Sequence, residues 1–202
     1  MKILKNRIYL DSFIKRGVKT INDTWGVYFV TGYQGSGKNY FATFMLTKFS
    51  NDMKIYTNVK SLKIPYKNIE YFEKITDILD NVEENVIFLI DEVSKKYTKN
   101  SYTDNSFYGW LQQSRKRGRI VILITQEWKE VPMWLRRPAR YMFHTHQFLR
   151  FPIFITTKGD AINQTFNTDT LEWECPIIER YIYKRNKSVA NLYDTYEPIC
   201  SL

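Results

Sequence analysis

Cysteine is scarce in this chain of 202 residues: Cys175 and Cys200 stand alone, with no paired spacing. That excludes a disulfide framework and a cysteine-based zinc site, and it points to a reducing compartment. Histidine is as scarce, with His144 and His146 only. The two share one face of an alternating segment, but no third ligand is evident, so they read as ordinary strand residues. No apolar run approaches the ~18 residues of a membrane-spanning helix. The basic start, Met1 to Arg7, leads into a polar amphipathic stretch and not an apolar signal core, so secretion is not expected. There is no internal repeat and no low-complexity tract.

Positive charge is in excess. Thirty Lys and Arg face 21 Asp and Glu, a formal net charge of +9. Such a surplus suits a polyanionic partner such as nucleic acid, although a Lys-rich solvated surface gives the same sum. The hydrophobic fraction, 44%, is that of a globular protein, and the length fits one domain with a small appendage.

Strands alternate with helices through the first two thirds. Residues 8–20 have the spacing of a short amphipathic helix. Gly26 to Thr31 reads as a buried strand and Asn39 to Phe49 as a helix with Phe41, Phe44, Met45 and Phe49 on one face. Lys54 to Asn58 reads as a second strand, and residues 68–82 as a helix around Ile75, Ile78 and Leu79. Val86 to Ile90 is an unbroken apolar run of the kind buried on both faces of a parallel sheet. Residues 95–106 read as a polar loop, Phe107 to Lys116 as a helix ended by Gly118, and Ile120 to Gln126 as a third buried strand. Short β segments are expected at 141–148, 151–157, 168–173 and 190–193. This order predicts an α/β fold with a mostly parallel central sheet flanked by helices.

Between the first strand and the first helix lies Gly32-Tyr33-Gln34-Gly35-Ser36-Gly37-Lys38, which satisfies G-x-x-x-x-G-K. The glycines let the backbone wrap closely and aim N–H groups at phosphate oxygens. The helix that follows adds its positive end, and Lys38 supplies a point charge for the β- and γ-phosphates. Tyr40 extends the candidate nucleotide-binding set. Asn39 stands where Ser or Thr normally offers a hydroxyl to Mg²⁺; its amide oxygen is the replacement donor. Asp91 and Glu92 close the strand 86–90. Asp91 is the expected Mg²⁺ carboxylate and Glu92 the expected general base. Gln126 ends the next buried strand, where polar residues contact phosphate or orient water. Arg115, Lys116, Arg117 and Arg119 form a basic cluster before that strand. One arginine is a candidate to act on a neighbour's nucleotide, and the others are candidate contacts to DNA phosphates.

The order Gly32–Lys38, Tyr56-Thr57-Asn58-Val59, Ile90-Asp91-Glu92, Arg115–Gly118, Ile122–Gln126 resembles the FtsK–HerA superfamily of P-loop ATPases. Within it the chain is most similar to the Zot-like branch and to viral genome-packaging ATPases. The resemblance covers roughly residues 26 to 150. It implies a RecA-like (ASCE) core with an extra strand between the two Walker strands. It also implies ATP and Mg²⁺ as ligands, and a homo-oligomeric ring, commonly a hexamer, that moves DNA. By residue match it makes Gln126 the sensor and Arg115 the trans-acting finger, with Arg136 as a second finger candidate. The expected division is an N-terminal helical extension (1–25), the ATPase core (26–150) and a β-rich C-terminal extension (151–202) packed on the core. A packaging motor would meet viral DNA and capsid or portal-vertex proteins, in the host cytoplasm or on the virion. A Zot-like assembly or export protein, acting through nucleotide-dependent partner binding, is the alternative.

Overall fold

The structure, a computed structural model, describes residues 25–49, 51–93, 102–148, 152–169 and 172–194. The helix expected over 8–20 and the start of the polar loop expected at 95–106 lie outside these residues. One sheet of eight strands organises the chain. In chain order its parallel part is β1 (Gly26–Thr31), β2 (Ile55–Thr57), β3 (Ile69–Tyr71), β4 (Ile87–Ile90), β5 (Ile120–Ile124) and β6 (Ala139–Gln147). Then come β7 (Ile153–Asp160), a small separate hairpin of β8 (Thr165–Asn167) and β9 (Glu172–Glu174), and β10 (Ile177–Lys184). The spatial order is β10-β7-β6-β1-β5-β4-β2-β3. Every neighbouring pair from β3 to β6 is parallel, and β7 and β10 add antiparallel pairs on the β6 side. The fold is that of a RecA-like P-loop NTPase, and β5 is the extra strand between β1 and β4.

Period-two alternation splits the apolar strands between two layers. Val27 and Phe29 of β1, Phe88 and Ile90 of β4, and Val121 and Leu123 of β5 face one core with Phe107, Trp110 and Leu111 of the helix Tyr102–Gln113, α3. Tyr28, Val30, Ile87, Leu89, Ile120, Ile122 and Ile124 face the other, with Phe41, Ala42, Met45 and Leu46 of the helix Lys38–Leu46, α1. Burial on both faces explains why β1, β4 and β5 read as unbroken apolar runs. Cys175 is buried in the first core, and burial pushes its thiol up to about 12, so it stays a protonated packing group.

Four expectations change. Residues 68–82 are not one helix but the edge strand β3 followed by a single turn, α2 (Thr76–Leu79). Glu70 and Tyr71 of β3 are exposed, so the strand leaves no apolar alternation, while Ile75 and Ile78 are buried and mimic a helical face. Helix α3 begins at Tyr102, inside the stretch read as loop, because its first turns are polar. Strand β10 was not expected: among its eight residues only Tyr181 is buried, and Ile177 and Ile178 point outward. Residues 190–193, expected as a strand, instead hold the last residue of α5 (Lys187–Ala190) and the turn after it; the α5 N-cap Asn186 accepts the Ser188 N–H at 2.9 Å. A further one-turn helix, α4 (Met133–Arg136), precedes β6.

Phe88 is fully buried, stacked on Tyr56 at 5.0 Å and edge-on to Trp110 at 4.7 Å. Truncating it leaves a cavity beside both of these side chains, so Phe88→Ala is expected to cost about 3–5 kcal/mol in denaturant unfolding. A loss under about 1 kcal/mol would contradict this packing.

Candidate active site

Parallel strands deliver their carboxyl ends to one edge of the sheet, and there the signal residues meet. After β1 the chain turns through Gly32–Gly37 into α1. The Gly32 N–H donates to the Gln126 carbonyl at 2.9 Å, mooring the loop to the end of β5. Gly32 stands at φ +145°, and a Cβ there would lie 2.4 Å from both Ser36 Oγ and the Thr145 carbonyl oxygen. Gly37 stands at φ +90°, and a Cβ there would lie 2.6 Å from the Phe154 ring. Crowding and backbone conformation thus both demand glycine. Buried Ser36 lies with its Oγ 3.1 Å from Thr145 Oγ1, which itself donates to the Thr31 carbonyl at 3.2 Å. A hydroxyl has one proton to give, so Ser36 is the donor of that pair. Tyr33, Gln34 and Gly35 form an exposed crest. The Lys38 amine donates to the Gly32 and Tyr33 carbonyls at 2.6 and 3.0 Å, which holds it against the loop.

Asp91 continues the face of β4 that carries Ile87 and Leu89, the face covered by α1. Its Oδ2 accepts the Asn39 amide N–H at 2.9 Å, and its Oδ1 accepts the Glu92 N–H at 2.8 Å. That bond uses the Asn39 NH2 group and leaves its amide oxygen as the second candidate oxygen donor. Burial pushes the Asp91 carboxyl up to about 6, against these two hydrogen bonds, which favour its ionised form. Glu92 is half-buried and sits at φ +58°, a left-handed conformation uncommon for a residue with a Cβ. Gln126 is exposed, one residue past buried Thr125 and two past the end of β5, the strand that separates β1 from β4. Gly32–Asn39, Asp91, Glu92 and Gln126 thus gather at one edge.

Other expected residues do not join them. Tyr40 is buried in an aromatic cluster, stacked on Phe154 at 5.3 Å and on Tyr183 at 6.0 Å, with its hydroxyl accepting the Asn186 N–H. Its side chain is a packing group, which leaves only its backbone to meet a nucleotide. Arg136 is 6% exposed. Its guanidinium donates to the Val131 and Lys129 carbonyls at 2.6 Å each and lies over the Trp128 ring, so it staples its own loop and is no finger. Arg119 is fully buried, donates to the Glu83 and Asn81 carbonyls and stacks between Phe88 and Trp110. It cannot face DNA. Arg115 and Lys116 are exposed and Arg117 is half-buried. They precede β5 beside Gly26, at the far end of β1 from the P-loop, about 17 Å away by strand rise.

Thr145 and His144 were missed as site neighbours. Strand pairing alone brings them there, with His144 opposite Thr31 and its Nδ1 3.1 Å from Thr31 Oγ1. Burial lowers the His144 pKa, and nearby His146 and Lys38 lower it further. Among the described residues no three His, Cys, Asp or Glu gather around a metal position.

The folded state holds the Asp91 proton more tightly than the ordinary 3.8 of an unfolded chain. Stability is therefore lost as pH rises from about 4 through about 6, and the ionised carboxylate at pH 7 is a local cost. Asp91→Asn is expected to stabilise the ligand-free protein by about 1–3 kcal/mol at pH 7, and hardly at all near pH 4. Melting curves at the two pH values test this; a destabilised variant at pH 7 would refute it.

The model of the Sigma-54 interaction domain family matches residues 10–133, more than half of the chain. Among curated proteins no sequence relative is detected. The N-terminal domain of zonular occludens toxin from Neisseria meningitidis superposes with a TM-score of 0.61 at 20% identity, covering 84% of this chain and 98% of that one. The genome packaging NTPase B204 from Sulfolobus turreted icosahedral virus 2 superposes with a TM-score of 0.53 at 13% identity, covering 78% and 99%. The fold thus resembles those of Zot-like and packaging ATPases. Together with the family match over the P-loop core, this makes the chain an ATPase, and it belongs to the Sigma-54 interaction domain family.

Proposed function

We propose that this ATPase is a DNA translocase of the FtsK–HerA kind, a homo-oligomeric ring that drives a viral genome into its capsid. One observation carries the reading. The P-loop, Asp91, Glu92 and Gln126 share one edge, with β5 between the two acidic and phosphate strands, while exposed Arg115 and Lys116 lie at the opposite edge. That separation leaves Arg115 out of reach of its own nucleotide and free to approach a neighbour's. Lys116 and Arg117 are then the contacts to DNA phosphates.

In this reading the amides of Gly32–Lys38 and the Lys38 ammonium bind the phosphates of ATP. Glu92 takes a proton from the attacking water, Gln126 orients that water, and Arg115 of a neighbouring copy faces the charge that builds on the transferring phosphoryl group. Asp91 and the Asn39 amide oxygen are the donors that suit Mg²⁺, an ion that completes its shell with water and phosphate oxygens. When bound, Mg²⁺ neutralises phosphate charge. Asp91 serves by holding its carboxylate ionised and oriented toward α1. The partners are viral DNA, further copies of this chain, and capsid or portal-vertex proteins, in the host cytoplasm or on the virion. Among the described residues no helix is long and apolar enough to cross a membrane.

Asn39 favours a second reading. Its amide donates to Asp91 where a hydroxyl normally stands, and such a site suits a Zot-like assembly protein that binds nucleotide, changes partner affinity and turns over slowly.

The first reading predicts ATP hydrolysis that rises at least several-fold with DNA, and a loss of about 100-fold or more in Lys38→Ala and Glu92→Gln. Arg115→Ala should abolish the stimulation without changing the melting temperature, whereas Arg119→Ala should lower the melting temperature. Hydrolysis indifferent to DNA, with wild-type rates in Lys38→Ala, would exclude translocation; slow hydrolysis with tight ATP binding would favour the second reading.

A further inference from the structure

The carboxyl end of β4 is held from the side by a single buried side chain. Asn58, 6% exposed, follows the last residue of β2. Its Oδ1 accepts the Asp91 N–H at 2.9 Å, and its Nδ2 donates to the Asp91 carbonyl at 3.1 Å. A side-chain amide has the donor and acceptor of a peptide group. Asn58 therefore extends the β2–β4 ladder by one rung after the β2 backbone has left it. The departure is itself fixed, because Thr57 Oγ1 accepts the Val59 N–H at 3.1 Å and turns the chain.

This arrangement has a consequence for Glu92. With both backbone polar groups of Asp91 satisfied, the chain is free to leave the strand in the next residue. Glu92 does so, at φ +58°. Such a conformation persists only where its surroundings impose it. The Glu92 N–H closes back onto Asp91 Oδ1, so the clamp on Asp91 sets the orientation of both carboxylates. Asn alone fits the role. Asp lacks the donor, and Gln is one methylene too long for a bond to each of two groups on one residue.

We propose that Asn58 is a positioning residue for hydrolysis. It fixes Asp91 and the left-handed turn at Glu92, and so aims the Glu92 carboxylate, without touching nucleotide. The inference rests on the assignment of Glu92 as general base. A misaimed base lowers the chemical step while leaving ground-state binding intact. A purely structural residue would weaken stability, binding and turnover together.

The experiment is ATP hydrolysis under single-turnover conditions, with affinity for a fluorescent ATP analogue measured in parallel, for wild type, Asn58→Ala, Asn58→Asp, Glu92→Gln and the double variant Asn58→Ala/Glu92→Gln. Both single Asn58 variants should hydrolyse ~10-fold or more slowly, with analogue affinity within about twofold of wild type. In the Glu92→Gln background Asn58→Ala should slow the residual rate several-fold less than it slows wild type, because only the part of its effect that acts through Asp91 remains. Wild-type hydrolysis by Asn58→Ala beside an inactive Glu92→Gln would overturn this inference alone. An equal loss in both backgrounds, or a loss of affinity matching the loss of rate, would also overturn it. A fully active Glu92→Gln would overturn the underlying assignment. Should Asn58→Ala fail to fold, Asn58→Leu, which keeps the volume and removes both hydrogen bonds, carries the same comparison.

Discussion

The buried carboxylate of Asp91 is the point on which the site depends. Three separate pieces of chain converge on this residue: Asn39 from α1 and the Glu92 N–H from β4's own exit donate to the carboxylate, and Asn58 from the end of β2 bonds the Asp91 backbone. Removing a charge from water raises the cost of holding it, and burial drives this group up to about 6. The hydrogen bonds recover part of that cost and in doing so fix the relative positions of the phosphate loop's helix and the acidic strand. A site with a bivalent cation and a triphosphate gains most from a carboxylate that is already oriented and poorly solvated.

The second support comes from the far side of β1. Strand β6 lies beside it and presents Thr145, whose hydroxyl bonds both Ser36 and the Thr31 carbonyl. Strand β7 presents Phe154, which fills the space a Cβ on Gly37 would need. Phe154, Tyr40 and Tyr183 then stack into one cluster with Val189 of α5. Segments beyond residue 150 thus form the wall of the phosphate loop, through continuous ladder hydrogen bonds and ring packing.

Burial sorts the basic residues by role. Arg119 and Arg136 spend their guanidinium donors on backbone carbonyls and lie over indole rings, which suits arginine's flat, weakly hydrated cation. Arg115 and Lys116, close by in sequence to Arg119, remain in solvent. Charge surplus counted along a chain therefore overstates the surface available to a polyanion, because it counts structural cations with free ones.

The sequence alone is enough to place the strand–loop–helix of residues 26–46, the buried strands β4 and β5, and the acidic pair at the end of β4. These are local facts: apolar runs must be buried, glycines permit the loop, and a polar pair must lie at a strand's end. It left β3 and β10 unseen, since edge strands bury little and lose their alternation. It offers Tyr40, Arg119 and Arg136 as functional candidates, because residue type and proximity in sequence do not reveal which way a side chain points. Packing settles those cases. Pairing β6 with β1 brought Thr145 to Ser36, and pairing β2 with β4 brought Asn58 to Asp91, contacts across 109 and 33 residues that no local pattern encodes.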